Sequence, residues 1–271
     1  MADVIFNKND LILDKIRNVA FHDLKTKKML LRLTSVEDPS LGCTAEGEEI
    51  TDAIGSLITT LYRAKKATFS GSNSLFSLDL AAAQFGSTKE VAAKGKEVTD
   101  YAYEVLAVDE NAATVTLEHI PVENSIAWVY AVDKGEIGTT YKVASAAKEA
   151  EGENPAEVAV AWETGVITFP DSAKGKNIYI EYTYKSESAN KVINRASDFP
   201  TAGSLVIYAY FRDKCTEELY SGAVICPKAK LNPESIELAL TSSGKHPFEF
   251  TMMKDYCDEI NDELFSIVVS A

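Results

Sequence analysis

The sequence has few of the residues from which metal and redox centres are usually built. It contains four cysteines and three histidines in 271 residues. No two cysteines form a CxxC pair, and no histidine falls at zinc-ligand spacing beside them. We therefore expect the cysteines to be buried free thiols, and we expect no metal site and no cofactor.

Two kinds of segment are also missing: runs rich in lysine and arginine, and runs of about 18 or more apolar residues. The formal net charge is -14, which argues against a nucleic-acid clamp because phosphate binding needs clustered positive charge. No segment is expected to span a membrane. Residues 1–18 carry Asp3, Asp10 and Asp14 and lack the basic region leading into an apolar region that marks a signal peptide, so we expect synthesis in a cytoplasm, with the cysteines reduced.

The segment ATFSGSNSLFSLDLAAAQFGS, residues 67–87, has the strand–turn–helix order of phosphate-binding loops and serine nucleophile elbows. It lacks the second glycine of GxSxG and does not match GxxxxGK[ST]. Ser74 suits the N-cap of a helix that runs through Ala82, and Gly86 suits the position just after a helix end. We predict that this turn is a structural joint and not a catalytic site.

Other polar and aromatic candidates also favour structural roles. The loop-like surroundings of His246 predict a surface histidine. The acidic run 255–263 contains no glycine and lacks the pattern of a calcium loop, which favours a solvated hairpin or loop. Trp128 and Trp162 are expected to pack a small core rather than bind sugar. Since no nucleophile, base and stabiliser come together, we predict no catalytic residues and no enzyme.

The middle third of the chain differs from its flanks in charge and in pattern. Residues 100–187 hold 16 acidic and 6 basic residues, a net charge of -10, whereas the other 183 residues hold 25 and 21, a net of -4. Three β-prone runs lie in this block: 113–122, 125–132 and 165–186. We predict a small all-β, Ig-like module at 100–187, inserted into a discontinuous parent domain formed by 1–99 and 188–271.

Local patterns within the predicted module suggest its details. Residues Asp171–Lys176 favour a turn, and the acidic stretch 145–159 favours an exposed loop. Period-two alternation then places four residues on one strand face: Ile178, Ile180, Tyr182 and Tyr184.

The parent pieces predict a mainly β domain with a flanking helix. Residues 28–38 favour a strand that enters a turn at Asp38–Pro39, whereas 49–71 keeps helical spacing but contains a glycine and four threonines, so helix and strand both remain open. Further strands are predicted at 205–214, 219–231, 235–244 and 263–270, with Pro227 at a bulge or an edge.

Three stretches of the parent domain are similar to the tail tube proteins of tailed bacteriophages and their prophage-encoded relatives. They are KKATFSGSNSLFSLDLAAAQFGS (65–87), LVIYAYFRDKCTEELYSGAVICPKAKLNPESIELAL (205–240) and GKHPFEFTMMKDYCDEINDELFSIVVSA (244–271). The resemblance implies a β-sandwich or barrel flanked by a helix, six copies to a ring, and rings stacked into a virion tail tube that passes DNA. It also implies other tail proteins as partners: tape measure, sheath or terminator.

General physics is consistent with this resemblance. A ring subunit needs strands with usable edges, and a DNA conduit is expected to be net negative inside so that the polymer slides. A capsid decoration or other head protein is the alternative, although the long helix typical of a capsid subunit is not apparent. A carbohydrate-binding surface module is a third possibility, suggested only by the aromatic strands of the insert.

Overall fold

The protein is mainly β in a computed structural model, which confirms the predicted fold class. The structure describes residues 9–144, 157–234, 236, 238, 241, 244–256 and 262–270. Two compact units divide the chain: the sheet unit, residues 1–89 with 192–271, and the inserted unit, residues 90–191. The inserted unit thus begins at Glu90 rather than at residue 100, and it ends at Lys191 rather than at residue 187.

The sheet unit contains one large antiparallel sheet and a helix. Its elements are β1 (Leu11–Asp23), β2 (Met29–Leu33), β3 (Val36–Thr51), β4 (Leu57–Asn73), α1 (Leu78–Phe85), β14 (Ala202–Asp213), β15 (Leu219–Leu231), β16 (His246–Met252) and β17 (Ser266–Ser270). The strand order is β2-β1-β14-β15-β16-β4-β3, and β17 pairs with β15 beside β16.

The two ends of this sheet approach each other, so that it is nearly closed like a barrel. Strands β2 and β3 lie at opposite ends of the order, yet only Thr34 and Ser35 separate them in the chain. Since two residues span only about 7 Å, the sheet has to curl to bring these strands together. Ser74, directly after β4, holds the β2–β3 connection by donating its N–H and its hydroxyl to the Ser35 carbonyl, at 2.9 and 3.1 Å.

One apolar core fills the curled sheet. Alternate residues of β14 and β16 point into it because successive side chains of a strand face opposite sides. Leu205, Phe250 and Leu80 of α1 are completely or almost completely buried there, and the rings of Phe21 and Phe250 lie 5.2 Å apart.

Most strand predictions for the sheet unit are confirmed, with two exceptions. β14 and β15 pair along their length, and a register shift falls at Pro227, as predicted for a bulge. Asp38 and Pro39 do not form a turn: they lie inside β3 at a bulge, where Asp38 has a φ of 50°. The predicted strand at 235–244 falls largely outside the described residues, whereas that at 263–270 is present as β17.

Helix α1 begins three residues later than the sequence suggested. Ser77, and not Ser74, is the N-cap, and its hydroxyl accepts from the Leu80 N–H at 3.2 Å. The hydroxyl of Ser74 is instead engaged with the β2–β3 connection and with Glu37, at 2.8 Å. Gly86 ends the helix in the left-handed conformation, as predicted.

The inserted unit has a second sheet and its own core. Its elements are β5 (Glu90–Val91), β6 (Val98–Ala107), β7 (Thr114–Thr116), β8 (Trp128–Asp133), β9 (Glu136–Val143), β10 (Glu157–Ala161), β11 (Val166–Thr168), a 3-10 turn (Asp171–Ala173), β12 (Asn177–Ser186) and β13 (Asn190–Lys191). The order is β6-β12-β8-β9-β10-β11-β7, and β5 pairs separately with β13.

The predicted face of β12 is confirmed. Ile178, Ile180 and Tyr182 are buried in the core of the inserted unit, and Tyr184 packs against that core. The turn predicted before β12 is also present. Most of the acidic stretch predicted as a loop, residues 145–156, lies outside the described residues.

Candidate assembly surfaces

Four strand segments at one end of the large sheet leave both outer edges open. We call them the half-sheet: Leu11–Asn18 of β1, Tyr208–Asp213 of β14, Leu219–Ile225 of β15 and all of β17. Among the described residues, neither the first segment nor β17 pairs with a further strand on its outer side. All three pairings inside the half-sheet are antiparallel, so its two open edge strands run in opposite directions.

The open edge at β17 has none of the usual protection against pairing. Exposed edge strands normally carry charges or proline because unpaired backbone groups recruit other strands. β17 has neither, and its Ile267 and Val268 are 56% and 50% exposed. An edge of this kind is suited to pair with another strand.

The exposed face of the half-sheet is aromatic and basic. Cross-strand pairing places Lys15 beside Tyr210 on this face, and the Arg17 guanidinium lies 5.6 Å from the centre of the Tyr210 ring. Arg212 pairs with Asp14 at 3.3 Å. This face of the half-sheet therefore carries three basic side chains and one acidic side chain.

An open groove of about 370 Å³ adjoins the same face. Its lining includes Arg17, Arg32, His22, Tyr208 and Met29. No described carboxylate lies within ion-pair distance of Arg17 or Arg32, so the surface here has net positive charge although the whole chain is acidic.

A long hairpin arm projects from the other end of the sheet. We define the arm as residues 44–66, the distal parts of β3 and β4 with the turn between them. All of its residues except Thr60 are exposed. The Asp52 carboxylate fixes the turn by accepting from the N–H groups of Ile54 and Ser56, at 3.0 and 2.8 Å.

The arm exposes apolar side chains on both of its faces. Leu57 and Leu61 lie on one face, Ile58 and Tyr62 on the other, and Ile54 at the tip is 88% exposed. A two-stranded ribbon alone is marginally stable in water, and contiguous exposed apolar surface marks an interaction site. The arm therefore has the composition of a segment that becomes buried against a partner.

His246 is buried, and the prediction of a surface histidine is wrong. Its Nδ1 accepts from the Ser77 N–H at 3.3 Å, and its Nε2 lies 2.8 Å from the Gln84 side-chain oxygen. Burial lowers the pKa of this imidazole. The arrangement attaches α1 to β16 and has a structural role.

The other sequence candidates have mixed outcomes. Trp162 packs against the core of the inserted unit, as predicted, whereas Trp128 is 47% exposed, so its assignment to a core was wrong. Cys226 is buried, but Cys43 and Cys215 are exposed, contrary to expectation. Only the first residues of the acidic run at 255–263, as far as Tyr256, and its last two are described, and they lie outside strands.

The residues that the structure describes contain no group of three or more histidine, cysteine, aspartate or glutamate side chains placed to hold a metal ion. None of their helices has the length and apolar character needed to cross a membrane.

The curled sheet, its open edges and its projecting arm define a class of structural β protein. Residues 11–266 match the model of the YomU/Tube protein family. The chain therefore belongs to this family, which confirms the predicted relationship to phage tail tube proteins, and it is a phage structural protein. No curated protein matches the chain.

Proposed function

We propose that the protein is the major tail tube subunit of a phage virion. Copies join side by side into closed rings, and the rings stack into a tube through which DNA passes. The observation that carries this proposal is the half-sheet, whose two open edges run in opposite directions.

Opposite edge directions allow one copy to extend the sheet of the next. When β17 of one copy lies beside Leu11–Asn18 of its neighbour, the two strands pair antiparallel, which continues the pattern within each half-sheet. The contact is head to tail, because it joins different surfaces of the two copies, and such contacts form a ring when the rotation closes. Six copies is the number that the resemblance to tail tube proteins implies.

The different burial of its two faces indicates which face of the half-sheet lines the channel. At the centre of the half-sheet the opposite face is the more buried one, because Ala209 and Tyr220 are buried there, so we assign the face with Tyr208 and Tyr210 to the channel. Where the half-sheet forms the channel wall, that wall carries Lys15, Arg17 and Arg212, which is paired with Asp14. This departs from the acidic lining expected from the sequence and makes the wall aromatic and basic here.

The hairpin arm provides the contact between rings in this proposal. Its exposed apolar side chains, such as Ile58 and Tyr62, become buried when it lies on the adjoining ring. Other phage tail proteins, among them a tape measure and a sheath or terminator, meet the ends and walls of the tube. The inserted unit, with most of the negative charge, decorates the outside as an Ig-like module.

Electron microscopy and sedimentation across a concentration series test the proposal. The unsubstituted chain is expected to form rings or tubes. Val268→Lys places a charge on the open edge and is expected to prevent assembly without altering the thermal midpoint. Ile137→Lys, on an exposed strand of the inserted unit, is the matched control and is expected to assemble.

Other outcomes contradict the proposal. A strict monomer at high concentration, also with tail-initiating partners present, excludes a tube subunit. Closed shells indicate the head-protein alternative. Assembly of Val268→Lys at the normal concentration shows that the open edge at β17 is not the ring contact.

A further inference from the structure

The inserted unit presents a row of aromatic rings on the exposed face of its sheet. We call this row the aromatic platform; its members are Tyr101, Tyr103, Trp128, Tyr130 and Tyr179, from β6, β8 and β12. Tyr101 and Tyr103 are 78% and 71% exposed, and Trp128 is 47% exposed.

The pairing of the strands places these rings side by side. Tyr179 is the direct neighbour of Tyr130 on β8 and of Val105 on β6. The centre of its ring lies 5.9 Å from that of Tyr103 and 6.5 Å from that of Tyr130. The rings of Tyr103, Tyr179 and Tyr130 therefore form a continuous surface across three strands, and Tyr101 and Trp128 lie on the same face.

The platform does not contribute to the core of its unit. The opposite faces of the same strands fill that core with Val129, Ile178 and Ile180, which are completely buried. Side chains that alternate with these point away from the core. Solvent exposure of so many large aromatic side chains on one face is typical of a binding surface.

Hydrogen-bonding groups are interspersed with the rings. Glu181 is the cross-strand neighbour of Tyr103, and its carboxylate accepts from the Tyr179 hydroxyl. Thr183 lies beside Tyr101, and Lys142 lies beside Trp128. A ligand on the platform thus meets apolar ring faces together with charged and hydroxyl groups.

Charge restricts the kind of ligand that this surface accepts. Residues 90–191 contain 18 acidic and 9 basic residues, a net charge of -9. This repels DNA, anionic polysaccharides and anionic lipid surfaces. A neutral ligand with flat apolar faces and many hydroxyl groups fits both the rings and the charge.

We propose that the aromatic platform binds a neutral β-linked polysaccharide. The C–H faces of pyranose rings pack on the tyrosine and tryptophan rings, whose amphipathic character suits a partly wet contact. The sugar hydroxyls at the ring edges donate to Glu181 and accept from Lys142. A β-1,4-linked chain is an extended ribbon that can contact rings from several neighbouring strands, whereas an α-1,4-linked chain coils and touches fewer rings.

Isothermal titration calorimetry of the full chain tests this proposal with three neutral probes: chitohexaose, cellohexaose and maltohexaose. At least one of the β-linked hexasaccharides is expected to bind about tenfold or more tightly than maltohexaose. Tyr103→Ala and Trp128→Ala are each expected to weaken that binding about tenfold. Tyr256→Ala removes an equally exposed ring from the sheet unit and is expected to change nothing.

Three results overturn the proposal, and the first two of them do not bear on tube assembly. The first is the absence of binding by both β-linked probes in calorimetry and in tryptophan fluorescence. The second is equal binding by chains with Tyr103→Ala or Trp128→Ala, which places the ligand elsewhere. The third is a change of oligomeric state in these variants, seen by light scattering, which shows that the platform is covered by another copy of the chain.

Discussion

His246 Nε2 and the side-chain oxygen of Gln84 lie 2.8 Å apart, although the two residues are separated by 162 positions in the sequence. Gln84 also donates its amide to the Pro247 carbonyl at 2.7 Å, and the Ser77 N–H donates to His246 Nδ1. Because Nδ1 is the acceptor, the proton of the neutral imidazole resides on Nε2. These bonds attach both ends of α1 to the first two residues of β16.

This arrangement predicts that acid weakens the sheet unit. Burial lowers the pKa of His246 below its ordinary value of 6.5, so that below this pH the unfolded chain binds a proton that the folded chain resists. The contribution of His246 to the free energy of unfolding is therefore fully present above about pH 6.5, and it is lost as the pH falls towards the folded-state pKa. Chemical denaturation at a series of pH values measures the slope.

A substitution isolates the contribution of this histidine. His246→Ala is expected to lower the free energy of unfolding by about 1–3 kcal/mol at neutral pH, because it leaves buried polar partners unsatisfied. It is also expected to reduce the pH slope. His22→Ala, a partly exposed control, is expected to leave the slope intact; an unchanged slope in His246→Ala contradicts the assignment.

Gly86 is predicted to be irreplaceable at the end of α1. Its φ is 67°, and a Cβ there would lie 2.2 Å from the Phe199 carbonyl oxygen. Gly86→Ala is expected to lower the free energy of unfolding by about 3 kcal/mol or more, through a clash added to the left-handed strain. Gly55 has a φ of 87° with open space around it, so Gly55→Ala is expected to cost only about 1 kcal/mol. Equal losses in the two variants contradict the clash.

Two buried tyrosines of the inserted unit are predicted to respond in opposite ways to loss of their hydroxyl. The Tyr141 hydroxyl is buried without a hydrogen-bond partner in the described structure. The Tyr182 hydroxyl donates to Glu104 and accepts from the His119 N–H at 3.2 Å. Burial, followed by the bond to Glu104, raises the pKa of Tyr182.

Tyr141→Phe is expected to leave the free energy of unfolding unchanged or to raise it by about 1 kcal/mol, whereas Tyr182→Phe is expected to lower it by about 1–3 kcal/mol. Both tryptophans of the chain, Trp128 and Trp162, lie in this unit, so fluorescence during urea unfolding reports on it. A large loss in Tyr141→Phe indicates an unrecognised partner.

The sheet unit is predicted to fold without the inserted unit. Glu90 and Lys191 are cross-strand neighbours, so a short Gly/Ser linker between residues 89 and 192 replaces the unit with a closure cost of about 1 kcal/mol or less. Removal of the inserted unit makes the net charge less negative, from -14 to -5, which reduces repulsion between copies. Soluble tubes with a thinner wall are expected by microscopy; an unfolded product under gentle expression contradicts the division.

The hairpin arm is predicted to act in assembly and not in folding. Ile58 and Tyr62 are 65% and 75% exposed, so replacing both by serine is expected to leave the thermal midpoint unchanged and to abolish stacking of rings. Lys65→Ser, on the same arm, is the control. Sedimentation and microscopy measure both effects; normal tubes from the double variant would exclude the arm as the stacking contact.

Local sequence patterns predicted the strands that are buried by their own unit. β12 alternates core-facing Ile and Tyr with outward residues because one of its faces packs on a core, and β14 contains a run of β-branched and aromatic residues typical of a strand. Gly86 was recognisable because few other residues adopt its backbone angles. Patterns of this kind are local, so they can be recognised from neighbouring residues alone.

Other features depend on distant parts of the chain. The apolar spacing of 49–71 did not decide between helix and strand, because Ile54, Leu57 and Leu61 do not pack against the core of this unit. In the structure they are exposed on the arm. The open edge at β17 depends on the strand order of the whole sheet. The burial of His246 depends on Gln84, far away in sequence, so the residues around His246 carry no local signal for it.

The discontinuity of the sheet unit sets an order of events on the ribosome. Residues 90–191 are contiguous, and the inserted unit has all its strands as soon as this segment has emerged. β1 also pairs with β14, so that Leu11 lies opposite Asp213, and the first sheet cannot be completed until about two hundred further residues have been translated. Nascent chains are thus expected to carry a folded insert between an incompletely paired N-terminal segment and the ribosome, and the exposed apolar arm is a natural binding site for chaperones during that interval.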